Sequence, residues 1–170
     1  NQKVVKDMFK ENQIAAVSQE SGLWVIGDSV ILGIRNSLEN TAHIGLINAR
    51  VGRQAPELLN VIKHDKERMR GSKTILDLGN NNRLTTQEIE DIFTELKDQP
   101  LVIVVNTAVP REWRDYNNKL IAEVAMNYSN IRIVDWGQKS ENHPEYFAPD
   151  GVHLIPAGIA AYVSAIREYL

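Results

Sequence analysis

The chain has 170 residues, 43% of them apolar and 24% charged, with a formal net charge of −3. That length suffices for one domain with a buried core, and the balance of residue types argues against a disordered chain. The small negative charge gives no footing for a nucleic-acid partner, and the absence of cysteine excludes disulfides, thiolate metal sites and thiol catalysis.

Residues 1–22 are polar and weakly patterned, and they read as one helix around Val4–Phe9 followed by a linker. The domain itself is expected over residues 23–170. The chain opens at Asn1, without Met or a secretory pattern, and reads as a fragment or processed form. Apolar β-rich runs follow at Leu23–Ile26, His43–Ile47, Thr74–Leu78, Leu101–Asn106 and Ile131–Asp135. Near-continuous Val, Ile and Leu in several of them predict strands buried on both faces, as in a parallel sheet. The longest unbroken aliphatic stretch, Leu101–Val105, is far too short to cross a bilayer.

Helical periods fill the gaps between these runs. Val30–Leu38 follows the first, with Gly33 inside it. Ala55, Leu58, Leu59, Ile62 and Met69 share a face, with Pro56 at the entry and Gly71 at the exit. Ile89, Ile92, Phe93 and Leu96 follow Thr85-Thr86-Gln87-Glu88, which has the spacing of a capping box. Leu120, Ile121, Val124, Ala125 and Tyr128 form a third stripe; Ile159, Val163, Ile166 and Leu170 form a fourth, opened by Pro156. Five strands alternating with five helices predict an α/β fold, a three-layer αβα sandwich around a five-stranded parallel sheet. Ligands of such sheets bind beyond the carboxyl ends of the strands.

Four segments fall at that edge. Gly27-Asp28-Ser29 ends the first strand, where a serine hydroxyl is exposed and the next helix aims backbone N–H groups outward. A serine there also commonly does no more than cap the helix. Asp150-Gly151-Val152-His153 precedes the last helix. In it a carboxylate can hold Nδ1–H of the imidazole while Nε2 takes a proton from Ser29. His43, His64 and His143 lack a comparable setting, and the histidine spacing argues against a zinc site. Gly79-Asn80-Asn81-Asn82 reads as a turn that carries neutral amide donors suited to an oxyanion. Arg50-Val51-Gly52-Arg53 offers a glycine N–H, and its arginines read either as surface charges or as an attraction for an anionic substrate.

The order and setting of these blocks resemble the SGNH (GDSL-type) hydrolase superfamily, over about residues 23–170. The resemblance implies a flavodoxin-like sheet, Ser29 as nucleophile, His153 as base and Asp150 as its orienting acid. It further implies an oxyanion hole made by the Ser29 and Gly52 N–H groups and the Asn81 amide, with no metal and no cofactor. Val30 replaces the usual leucine of the first block, and Asn82 stands where many relatives carry aspartate.

Arg50-Val51-Gly52-Arg53-Gln54, Asn106–Trp113 and Val134-Asp135-Trp136 look like the extracellular domain of Gram-positive peptidoglycan O-acetyltransferases. That likeness implies transfer of acetyl, through an acetyl-serine, to the C6 hydroxyl of N-acetylmuramic acid in peptidoglycan glycan strands. It also implies a membrane acyltransferase domain in the same polypeptide as the acetyl source, and a place on the extracellular face of the membrane. Val109, Trp113 and Trp136 are the candidate acceptor contacts, although Trp136 can equally close the core edge. The alternatives are a carbohydrate acetylesterase with the same triad, and a glycan-binding module without catalysis.

Overall fold

The computed structural model describes residues 22–170, so the helix expected around Val4–Phe9 lies outside the described residues. Five strands and six α-helices alternate along them. They are β1 Leu23–Gly27, α1 Ser29–Glu39, β2 Ile44–Ala49, α2 Ala55–Asp65, β3 Thr74–Asp77, α3 Thr86–Glu95, β4 Val102–Val105, α4 Arg114–Ala125, β5 Ile131–Val134, the single turn α5 Trp136–Lys139, and α6 Pro156–Arg167. A 3₁₀ turn at Pro144–Tyr146 precedes α6. All strand pairs are parallel, in the order β2-β1-β3-β4-β5.

The chemistry of the strands accounts for the layering. Alternate side chains of β1, β3 and β4 point to opposite faces. Trp24, Ile26, Leu76, Val102 and Val104 pack on one side against Leu58 and Ile62 of α2, Ile89, Ile92 and Phe93 of α3, and Ile121 of α4. Val25, Ile75, Ile103 and Val105 pack on the other against Ile31, Ile34 and Leu38 of α1 and Tyr162, Val163 and Ile166 of α6. The expected three-layer α/β sandwich is the observed fold.

Differences lie at the element ends and in the last connection. The apolar stripe of α2 predicts a helix reaching Met69, but the helix stops at Asp65, and turns carry the chain to a buried Met69. Gly71, with φ +84°, closes that passage. Between β5 and α6 the chain forms α5 and the 3₁₀ turn, both too short for a periodic pattern to reveal.

The strand order reverses around β1, whose neighbours are β2 on one side and β3 on the other. The chain leaves the carboxyl ends of β1 and β3 towards opposite faces and opens a crevice there. Ser29 follows β1, and Asn80–Asn82 follow β3.

Candidate active site

Asp28, with φ −117° and ψ −152°, caps α1: its Oδ1 accepts the Val30 N–H at 2.9 Å. Ser29 is therefore the first helical residue and not the cap. Its half-buried hydroxyl makes no hydrogen bond to another side chain among the described residues. The backbone N–H of Ser29 is one of the groups that a helix start leaves without an internal partner.

The turn Arg50–Arg53 lies beside the end of β1, because the Arg50 N–H donates to Gly27 O at 3.2 Å. Arg53 N–H closes the turn on Arg50 O at 3.3 Å, with Gly52 at φ +75°. Gly52 is exposed, and its N–H has no protein acceptor among the described residues. Arg50 is exposed and pairs with Glu57 at 2.9 Å, whereas Arg53 is turned inward and donates from Nη1 to Asn48 O at 2.9 Å.

Asn81 joins these two segments. Its Nδ2 donates to Asp28 Oδ2 at 2.8 Å and to Arg53 O at 3.0 Å. The amide thus sits between the Asp28–Ser29 turn and the Gly52 turn, with both hydrogens engaged inside the protein. Asn80 donates to the same Asp28 Oδ2 at 2.8 Å and to Asp77 Oδ2 at 3.3 Å. Asn82 holds the start of α2, where its Oδ1 accepts the Ala55 N–H at 3.1 Å. An amide oxygen is sufficient there, so the missing aspartate leaves the loop supported.

Asp150 and His153 meet on a small closed loop. Ala148 N–H donates to His153 O at 2.8 Å, Gly151 N–H to Ala148 O at 2.9 Å, and Phe147 bridges Leu154 in antiparallel fashion. Gly151, with φ +71°, turns the chain against Pro110. Asp150 Oδ1 accepts the N–H groups of Val152 and His153 at 2.9 and 3.0 Å, and Oδ2 lies 2.5 Å from His153 Nδ1. The bond to His153 first, then the two backbone N–H groups, hold the Asp150 carboxyl at about 2, below its ordinary 3.8. A proton fixed on Nδ1 leaves Nε2 of the neutral ring as the acceptor, the tautomer a general base requires. His64 and His143 also sit beside carboxylates, Asp65 and Glu145, at 2.8 and 2.7 Å. A histidine–carboxylate pair alone therefore does not single out a site; Asp150 and His153 differ in flanking Val152, which lines a pocket with Val30, the neighbour of Ser29.

No hydrogen bond joins Ser29 to His153 among the described residues. Their neighbours Val30 and Val152 line one small pocket, with room of about 10 Å³, together with Asn80, Val109, Trp136 and Tyr162. Catalytic hydrogen bonds of free enzymes commonly tighten only with substrate in place.

Trp136 is 3% exposed and Val109 5%. Trp136 is stacked on Tyr146 at 5.8 Å and meets Tyr162 edge-on at 5.0 Å. Both residues thus form cavity wall and core edge and give little outward surface. Trp113 is half-buried at the residue before α4, with its indole N–H enclosed and without a partner among the described residues.

Two residues at the site carried no chemical pattern in the sequence. Asn117 of α4 donates to Gly79 O at 3.0 Å and Asn82 O at 2.9 Å and accepts Leu84 N–H at 2.9 Å, which fixes the asparagine loop. Asp77, at the end of β3, accepts the Asp28 N–H at 3.1 Å. Its one sequence signal is a carboxylate inside the apolar run Ile75–Leu78. Among the described residues, no three His, Asp or Glu side chains converge as metal ligands would.

No protein-family model matches the chain. In sequence it is 38% identical over 146 residues to the peptidoglycan O-acetyltransferase OatA of Listeria monocytogenes, covering 85% of this chain and 23% of that protein. The chain spans about a quarter of the length of the curated relatives it matches. Among solved structures it resembles the C-terminal catalytic domain of Streptococcus pneumoniae peptidoglycan O-acetyltransferase A with a methylsulfonyl adduct. That match has a TM-score of 0.73 and 26% identity, and covers 86% of this chain and 90% of that one. A lipase/acylhydrolase from Enterococcus faecalis shares the fold, with a TM-score of 0.67 at 17% identity over 86% of this chain and 94% of its own.

Proposed function

We infer that this chain, an SGNH-type domain similar to the peptidoglycan O-acetyltransferases, transfers acetyl groups from an ester donor to a peptidoglycan glycan. One observation carries the reading. Asn81 binds the Asp28 carboxylate of the nucleophile turn and the Arg53 carbonyl of the glycine turn, and the paired Asp150 and His153 flank Val152, which lines a pocket with Val30.

In the proposed cycle His153 Nε2 takes the hydroxyl proton as Ser29 Oγ attacks the donor carbonyl. The N–H groups of Ser29 and Gly52 receive the oxyanion, and the Asn81 amide joins them by giving up one internal bond. Collapse breaks the donor's ester bond; its leaving oxygen takes the proton from His153, and acetyl remains on Ser29. The acceptor hydroxyl, which we assign to C6 of N-acetylmuramic acid, then gives its proton to His153 and attacks the acetyl carbon. Ser29 leaves and regains that proton. The acetyl donor would come from a membrane acyltransferase domain of the same polypeptide, which puts this domain on the outer face of the membrane. Among the described residues no helix is long and apolar enough to cross it.

A second reading has its own support. The side chains of His153 and Asp150 are 58% and 47% exposed, so water reaches the base and can take the acetyl group instead. Incubating the chain with a chromogenic acetyl ester and muroglycan oligomers decides between the two by mass spectrometry. Acetylated sugar is expected; free acetate alone would make the protein an esterase. A serine-directed sulfonyl fluoride should add one adduct to the wild-type chain and none to Ser29→Ala. An unlabelled wild-type chain that still bound glycan would be a binding module.

A further inference from the structure

Beneath the nucleophile turn lie two carboxyl groups that the proposed cycle does not use, Asp28 and Asp77, 5% and 3% exposed. They are close enough to share one donor: Asn80 Nδ2 reaches Oδ2 of both, and the Asp28 N–H itself binds Asp77 Oδ1. The packing leaves no slack. A side chain on Gly27 would begin 2.0 Å from Asp77 Oδ1.

We propose that the pair Asp28 and Asp77 holds a single proton, on Asp77, so that the pair carries one negative charge, and that Asp77 is thereby a positioning residue for Ser29 and Asn81. Every group facing Asp77 bears on this assignment. Asp28 comes from the β1–α1 turn, and Asn80 from the loop after β3. From the loop after β2 comes Arg53, whose charge is partly taken by Glu57, with Nε and Oε2 3.9 Å apart. From α6 comes Tyr162, 1% exposed, whose hydroxyl has no partner among the described residues. One shared arginine does not offset two buried negative charges side by side, so one carboxyl stays protonated. Three N–H groups (from Val30, Asn80 and Asn81) donate to Asp28, against two (from Asp28 and Asn80) that reach Asp77, so the proton is assigned to Asp77. Asp77 keeps the proton: burial first, then the charge of Asp28, push its carboxyl well above the ordinary range.

The single charge has two effects on the site. It keeps Asp28 as a fixed acceptor for the first turn of α1 and for the Asn81 amide. It also limits the negative potential beneath the place where an oxyanion would develop, which a second charge would oppose.

The inference rests on the proposed roles of Ser29 and Asn81 for its kinetic arm only. The direct test is ¹³C NMR of the chain labelled at aspartate Cγ. One resonance in the protonated range is expected at neutral pH in the wild type, and it should vanish in Asp77→Asn. In the kinetic arm, acetyl-ester turnover by Asp77→Asn, a neutral mimic of the protonated acid, should stay within about threefold of wild type. Asp77→Ala should lose about a hundredfold in kcat with little change in KM, and near-UV circular dichroism identifies folded variants. Should Asp77→Ala fail to fold, the NMR arm and the Asp77→Asn rate still decide. All aspartates ionised at neutral pH, or Asp77→Asn losing a hundredfold while folded, would overturn the proposal. A wild type with the protonated resonance and no turnover would uphold the single proton and defeat the acetyltransferase reading.

Discussion

Asp28 caps α1, and the hydroxyl beside it has no hydrogen-bond partner among the described residues. In the sequence, capping and catalysis compete for Ser29; in the structure the cap falls to Asp28, which leaves Ser29 to the proposed role. The same division appears at Asp150, where Oδ1 shapes the loop through two N–H groups and Oδ2 holds the imidazole. Asp150→Asn should keep part of the loop geometry yet lower kcat for acetyl-ester turnover by on the order of 10⁴, because an amide can impose the wrong tautomer. Loss of under tenfold would remove Asp150 from the catalytic set. The depressed carboxyl also fixes a sign. A group whose pKa falls on folding adds stability above its unfolded value, 3.8 here, and loses that contribution as pH falls towards about 2. The His153 ring should therefore detach from Asp150 across that acid interval, followed by imidazole NMR, and Asp150→Asn should show no such transition.

At the level of elements, what could be read early was what is local. Thr85 and Glu88 are three residues apart, and the capping box forms in full, with Thr85 Oγ1 accepting the Glu88 N–H at 3.1 Å and Glu88 Oε1 the Thr85 N–H at 2.9 Å. Thr85→Ala should cost about 1 kcal/mol in urea unfolding. A change below about 0.3 kcal/mol would mean that tertiary packing alone holds α3. Gly27 was legible as part of a motif, but its reason was not, because the atom that excludes a side chain belongs to Asp77, fifty positions on. Gly27→Ala should destabilise the protein by about 1–3 kcal/mol or more through overpacking, with calorimetry as the check and an unchanged melting temperature as the contrary result. Asn117 was invisible for the same reason: a polar residue on a helix reveals nothing about carbonyls two loops away. Trp136 was legible only as two alternatives, acceptor contact or core edge, because Tyr146 and Tyr162, which pack against it, come from segments ten and more positions on.

Across the whole molecule, the sheet was legible because strands buried on both faces advertise themselves as aliphatic runs, and their alternation with helical stripes leaves few topologies. The strand order that makes the crevice emerges only when β1 is seen between β2 and β3. The charge pattern in that crevice has a global consequence. Asp77 binds its proton more tightly folded than unfolded, so its favourable contribution is complete below the unfolded value, 3.8, and falls away as pH rises through the raised folded value. The urea midpoint of wild type should accordingly drop relative to that of Asp77→Asn as pH increases. Parallel midpoints from acid to alkaline pH would show that Asp77 titrates alike in both states.

The six-residue loop from Ala148 to His153 is fastened at its two ends by a backbone bond, outside the sheet that carries Ser29. The two halves of the proposed machinery are thus built on separate foundations, one woven into the fabric of the protein and one buttoned onto its rim. A single inserted amino acid inside the button would swing the imidazole away while every strand stayed in register. On this architecture the proposed reaction can be lost by one insertion while the scaffold folds as before.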